Sequence, residues 1–407
     1  MNETVLDTYA DLVILKGINL KKNKSVAIMT GPGTYYFARA LSKAAYRHGA
    51  LYVHVLLDDL DVLASRLDNQ NEEQLEHTPA FIRSLDYEMV AEGWSYIRID
   101  STEDRLDHAP LHQEKNQIYG TAKREFSLTR LKKTMRHELP WCVVAAPGPR
   151  WARQVLGEYA TTADLLEVLK PILRLDHEDP CAAWDEHGLM LKKRQQRLDE
   201  MHIESLHFKS PVTDFTIGFT EHARFLGGSE MLPDGTPFFP NLPTEEIFTT
   251  PDRMMANGYI TTTRPVSVLN CRTEEVRLVF KDGKVVQYSA KVGKEILDAF
   301  FAIDEGTKRI GECALVDESS PIAQSGLVFD SILIDENASC HIALGDGYPT
   351  CLSHGSSLTT EESLNKAGCN TSLMHVDFMV GSKEMSITAR TREGMDIQIM
   401  KMGLFTF

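Results

Sequence analysis

No two cysteines in this chain stand as a C-x-x-C pair, and no apolar run approaches the length of a membrane span. The seven cysteines, Cys142, Cys181, Cys271, Cys313, Cys340, Cys351 and Cys369, are odd in number and scattered. That pattern argues against a disulfide scaffold and against a thiolate zinc site, and fits reduced thiols in a cytoplasmic protein. Positive charge is in deficit. Lys and Arg number 43 against 58 Asp and Glu, a formal net charge of -15, which speaks against nucleic acid and anionic membrane as partners. The opening residues, MNETVLDTYADL, carry acids where a secretory leader would carry a basic and then an apolar stretch. Internal repeats and low-complexity tracts are absent. What is present is an ordinary globular composition in 407 residues, enough for two domains.

The first half alternates strand-like and helix-like stretches. SVAIMT (25–30), LYVHVLLDD (51–59), WSYIRID (94–100) and WCVVAAP (141–147) read as strands. GTYYFARALSKAAYRHGA, stopped at Gly49, and AFIRSLDYEMVAEG read as helices. Such βαβ units imply a parallel sheet. The GPG at 31–33 resembles a phosphate loop only faintly, because it lacks a full G-x-G-x-x-G or Walker pattern. After a long charged helix at about 180–202 the texture changes to strands. ESLHFKS, TDFTIGFT and YITTTRPVSVL are followed by two hairpins, one around Lys281-Asp282-Gly283 and one near Gly394. One helix, GKEILDAFFAI, interrupts them. The expected architecture is an α/β N-terminal domain with a parallel sheet (1–205) and a β-rich α+β C-terminal catalytic domain (206–407).

Chemistry concentrates in the β-rich half. In SLMHVDFMVG, read as a strand, His375 and Asp377 are two apart and share a face. A buried imidazole and carboxylate side by side can be a hydrogen-bonded core pair or the start of a metal site. Glu312 lies in the middle of the apolar strand RIGECALVD, where an unpaired carboxylate is costly. Glu245 and Glu246 occupy the turn-rich FFPNLPTEEIFTTPDR, and ILIDENASCHIALGDGY holds Glu336 and His341. Any one of these could be a solvated acid, a helix-start acid or a satisfied histidine. Together, the four acids Glu246, Glu312, Glu336 and Asp377 and the two histidines match a site for two divalent ions. Adjacent strand residues face opposite ways, so Cys313 should pack behind the site. The side on which Cys340 lies is open.

NLPTEEIFTTPD, GECALVD, ENASCHIALGDGY and NTSLMHVDFMVG also resemble, in order and separation, the signature blocks of the M29 family of metallopeptidases, the thermophilic aminopeptidase T type. The resemblance extends over most of the chain and is strongest in its second half. It implies metal binding at Glu246, Glu312, His341, His375 and Asp377. It makes Glu336 a ligand or near neighbour and Tyr348 a tyrosine close to the metals. The GDGY stretch departs from the family in lacking an alanine before the tyrosine, which bears on pocket shape, and TGPGTYYF is not a stretch the family would predict. The resemblance further implies a homodimer that encloses its active sites and so admits short peptides with a free N-terminus.

The resulting expectation is a metal-dependent aminopeptidase with two divalent ions, whether zinc, cobalt, manganese or magnesium. Glu312 would be the carboxylate between the ions or the proton shuttle. Glu245 is a second candidate base, and Tyr348 a hydrogen-bond donor to the developing oxyanion. The competing enzyme class is a non-haem iron(II) ring-cleaving dioxygenase, with His341, His375 and Asp377 as a two-histidine, one-carboxylate triad. Glu246, Glu312 and Glu336 would be surplus to it. A binding protein that kept the fold would show an incomplete ligand set, and none of the set is missing.

Overall fold

Strand Val26–Thr30, from the apolar SVAIMT, lies inside a parallel sheet flanked by Val53–Leu57 and Ser95–Ile99. Trp141–Val144 follows, and the far edge is Asn241–Leu242, again parallel. The computed structural model describes residues 3–106, 113–269 and 271–407. Helix Tyr35–Arg47 buries Phe37, Ala38, Leu41, Ala44 and Ala45, one face at three- and four-residue spacing. The chain leaves it through Gly49 at φ +93, a conformation that favours glycine. Helix Thr162–Ile172, which the sequence reading passes over, is started by a Thr161–Asp164 capping box and buries Leu165, Leu166, Leu169 and Ile172.

The GPG turn does not leave its Gly33 amide free. The Gly33 N–H donates to Asp104 Oδ1 at 2.8 Å. A Cβ at Gly31 would stand 1.9 Å from Asp104 Oδ2, so the carboxylate fills the cradle. The neighbouring Glu103 accepts from Arg150 N at 3.1 Å and Trp151 N at 2.8 Å, in the first turn of helix Pro149–Leu156.

The contacts divide the chain into residues 1–185 with 229–243, and 186–228 with 244–407. Helix Pro180–Glu200 runs through the division. The sequence reading puts the line at 205. Part of the difference follows from the pairing of Asn241–Leu242 with Trp141–Val144, which returns 229–243 to the first unit.

Among the described residues the second unit holds two larger antiparallel sheets and a two-stranded one, Val266–Val268 with Cys271–Thr273. Eight strands run in the order Lys284–Ser289, Arg277–Lys281, Ala256–Thr261, Thr213–Gly218, Ile203–Ser210, Ser386–Thr391, Asp396–Lys401, Leu404–Phe405. Asp282 and Gly283, at φ 49 and 78, close the two-residue turn of the first hairpin. YITTTRPVSVL is not one strand: it divides around Pro265 into Ala256–Thr261 and Val266–Val268, which pair in different sheets. Five further strands run in the order His375–Met379, His341–Gly345, Ile310–Val316, Glu246–Thr249, Leu226–Gly227. Their inner residues Ile247, Cys313, Leu315, Ile342, Leu344, Val376 and Phe378 belong to one core with Phe208, Phe215, Ile217, Leu278 and Ile387. Each such large apolar side chain contributes about 1.5–3 kcal/mol of burial before entropy is counted. No helix of the described residues is long and apolar enough to cross a membrane.

Gly345 ends the His341–Gly345 strand opposite His375 at φ +110, and a Cβ there would meet Met374 O at 2.0 Å. Gly345→Ala should therefore cost at least about 2 kcal/mol, from backbone strain plus overpacking. The urea midpoint should drop with its slope unchanged. A midpoint equal to the parent's would mean that the chain before His375 yields freely, and that this close approach does not constrain the sheet.

Candidate metal centre

Strand alternation sorts the five-stranded sheet into two faces. Ile247, Cys313, Leu315, Ile342, Leu344 and Phe378 point into the core. Glu246, Glu312, His341, His375 and Asp377, the alternate residues, share the other face. Register then brings them together. Ala343 on the His341–Gly345 strand lies opposite Glu312 on one side and Asp377 on the other. His341 lies opposite Ala314. The two alanines leave room above the sheet for the longer acid and imidazole side chains.

His375 Nε2 is 3.0 Å from Glu312 Oε2 and 3.3 Å from Asp377 Oδ1. His341 Nε2 is 3.4 Å from Glu246 Oε2 and 4.0 Å from Asp377 Oδ1. Both imidazoles are aimed from behind. His375 Nδ1 donates to Asp346 O at 2.7 Å, and His341 Nδ1 to Ser339 O at 3.2 Å. Those bonds put the ring proton on Nδ1 and leave Nε2 with its lone pair toward the acids, the arrangement of metal-ligating histidines. Glu246 Oε2 and Asp377 Oδ1 are buried without a hydrogen-bond partner, as expected of oxygens shaped for a cation. Two donor groups result: Glu246, Glu312 and His341, and Glu312, His375 and Asp377, the atoms of each within 4.8 Å of one another. Glu312 belongs to both. The mixture of carboxylate oxygen and imidazole nitrogen suits zinc, cobalt or manganese.

The electrostatics state the same demand. Burial pushes the Glu246 carboxyl up to about 8; His341 opposes the shift, while Glu312 and Asp377 add to it. Burial by itself would lower His341 and His375, but Asp377, Glu312 and, for His341, Glu246 outweigh it and raise both. Burial would raise Asp377 as well, yet the two imidazoles hold it low. The cluster is stabilised by positive charge, whether carried by protons or by a divalent cation.

The remaining sequence candidates sit around this face. Glu336 lies in the short turn Glu336–Ala338, outside both donor groups, with its carboxyl held high by burial and then by Glu246, Asp377 and Glu312. Tyr348 packs its ring 5.2 Å from that of His375 and 5.3 Å from that of Phe248. Burial and the surrounding carboxylates keep its phenol protonated. Glu245 is 3.6 Å from His187 Nε2, and its amide donates to Asn337 Oδ1 at 2.7 Å. Cys313 is in the core behind the sheet, and so is Cys340, whose thiol lies 3.4 Å from Val316 O. The supporting carbonyls of Ser339 and Asp346 escape sequence reasoning, because a backbone acceptor leaves no residue-type signal.

Known proteins resemble this chain over nearly its whole length. The family model described as thermophilic metalloprotease (M29) matches residues 2–405. Aminopeptidase T of Thermus thermophilus is 34% identical, covering 98% of this chain and 97% of its own. Aminopeptidase 2 of Geobacillus stearothermophilus is 32% identical over 100% of this chain and 98% of its own. The solved structure of wild-type AmpT from Thermus thermophilus superposes with a TM-score of 0.91 at 31% identity, covering 100% of both chains.

A pH dependence follows. Glu246 ionises near 4.5 when unfolded and near 8 when folded, so the folded cluster binds the extra proton between those values. Stability from this group is present below 4.5 and is lost as pH rises through about 8. The raised imidazoles act in the same direction. The chelator-treated protein should melt progressively lower across that window, and Glu246→Gln should flatten the fall. A saturating divalent ion should raise the melting temperature more at the alkaline end than at the acid end. A chelated protein whose melting temperature climbs across the window, with Glu246→Gln indistinguishable from the parent, would refute this account.

Proposed function

The chain belongs to the M29 family of thermophilic metalloproteases, and from that membership we propose an aminopeptidase that releases N-terminal residues from short peptides at a two-metal centre. Glu246, Glu312, His341, His375 and Asp377 would hold the ions. The observation that carries the dinuclear reading is the membership of Glu312 in both donor groups. A carboxylate so shared is suited to bridging. When bound, two divalent ions would lower the pKa of a shared water and polarise the scissile carbonyl.

The chain's own groups supply the rest. His341 and His375 are oriented by backbone carbonyls, so each presents Nε2 without rotating. Tyr348, kept protonated, can donate its phenolic hydrogen bond to the carbonyl oxygen as negative charge develops there. Its backbone is locked to Thr250, whose hydroxyl accepts from Tyr348 N at 2.8 Å and donates to Tyr348 O at 3.1 Å. The His375 side is the more open one, 25% exposed against 2% for His341, so a peptide would approach from there.

The iron triad is not retained. His341 and His375 fall in different donor groups among the described residues, whereas a mononuclear site needs both on one ion. It would also leave Glu246 and Glu312, two buried acids, without a role as ligands. We further propose a homodimer in the cytoplasm. The free state of all seven thiols supports that compartment, and sedimentation of the pure protein tests the dimer.

Hydrolysis of unblocked peptides should be abolished by a chelator and restored by a divalent ion, with N-acetylated peptides cleaved poorly. Equal rates on free and blocked peptides would sink the aminopeptidase reading. Glu312→Gln should lower metal content and reduce turnover by at least about a hundredfold. Tyr348→Phe should keep the metal and lower kcat more than it changes KM. Near-normal turnover of Glu312→Gln with metal fully bound would make Glu312 structural.

A further inference from the structure

Two histidines remote from each other in sequence meet at the surface of the second unit. The rings of His222 and His354 lie 4.3 Å apart, edge to face at 79°. Neither belongs to the two donor groups of the sheet face. The backbone brings them together. Arg224 N donates to Cys351 O at 2.7 Å and Ser353 N donates to His222 O at 2.8 Å, so Ala223 and Leu352 form one rung of an antiparallel ladder. Both sides of that rung are anchored. The Arg224 carbonyl accepts from Thr249 Oγ1 at 2.8 Å, and Thr249 ends the strand that begins with Glu246. The other side winds down from Tyr348. Cys351 N donates to Tyr348 O at 3.0 Å, Leu352 N to Pro349 O at 3.0 Å and Gly355 N to Leu352 O at 2.9 Å. Gly355 has no room for a Cβ beside Pro349 O, so the winding that places His354 is tight.

We propose that His222 and His354, with Glu221, form a further binding site for a transition-metal ion of the zinc, nickel or copper class. Imidazole nitrogen is the ligand these ions share, whereas magnesium and calcium take oxygen. Two ligand atoms on one tetrahedral zinc stand about 3.3 Å apart, given bonds of roughly 2.0–2.1 Å. Glu221 Oε1 is 3.7 Å from His222 Nε2, so a small rotation of the exposed acid closes that pair on an ion. The other ring nitrogen, Nδ1, lies 3.5 Å from Ser353 Oγ, an acceptor that keeps the ring proton there and leaves Nε2 to the ion. His354, its ring against that of His222, supplies the third ligand, and water the fourth. Glu221 and His222 are exposed and His354 is half-buried, so a dissolved ion reaches all three. Once bound, the ion ties the turn at 221–224 to the segment that follows Tyr348.

The test uses the full chain with its sheet centre saturated, dialysed to equilibrium against buffered Zn2+, beside His222→Gln, His354→Gln and Glu221→Gln. At modest excess zinc the parent should hold one more ion per chain than either histidine variant. Loss of a group that merely orients a ligand costs roughly 10–100-fold in metal affinity, so loss of a ligand should weaken this ion at least about tenfold. Excess zinc should raise the melting temperature of the parent more than that of the histidine variants, because the folded chain alone presents the rung. Magnesium should do neither. Peptide hydrolysis without excess zinc should be the same in parent and variants. Equal zinc content and equal melting shifts in parent and histidine variants would overturn the proposal, and so would an equal response to magnesium. Loss of ions from the sheet centre in a histidine variant would overturn it too, by making the pair a support of that centre. Should a histidine variant fold poorly, Glu221→Gln decides: unchanged zinc affinity there would refute the site.

Discussion

Negative charge gathered out of water is the condition to which the second unit answers. Glu246 and Glu312 are almost wholly buried, and Asp377 shares their face. Mutual repulsion and lost hydration would each disfavour such a cluster. Two imidazoles interleave with the acids, and each is steered by a carbonyl behind it. The sheet below supplies the rigidity. Its opposite face is locked into a core of Cys313, Leu315, Ile342, Leu344 and Phe378, so the strands cannot slide without exposing apolar surface. A slip of one residue would turn every ligand inward and every core residue outward.

This is why short spacings in the sequence carry so much. His375 and Asp377 were legible as neighbours because a strand repeats every two residues, and Glu312 because an unpaired carboxylate inside IGECALV is costly. What alternation cannot show is which strands lie side by side. That Ala343 separates Glu312 from Asp377 is a matter of register between segments about thirty residues apart. Resemblance to family blocks supplied the grouping that local pattern left open.

In the first unit the apolar strands and the amphipathic Tyr35–Arg47 helix were legible, and the edge of the sheet was not. Asn241–Leu242 is two residues long and follows Pro240, too short for any periodicity to register. Helix Gln113–Met135 went unread because QEKNQIYGTAKREFSLTRLKKTM is polar nearly all round. The roles of Glu103 and Asp104 were equally hidden. Their partners are backbone amides at Gly33, Arg150 and Trp151, and amides look alike in every sequence.

Those two acids have an effect beyond local geometry. Amides at the start of helices after parallel strands are where many α/β sheets hold phosphates. Here the amides of Gly33, Arg150 and Trp151 are already taken by carboxylates tethered in the same chain, at an effective concentration no dissolved anion can match. A phosphate at either turn would have to displace a carboxylate that the fold already holds there.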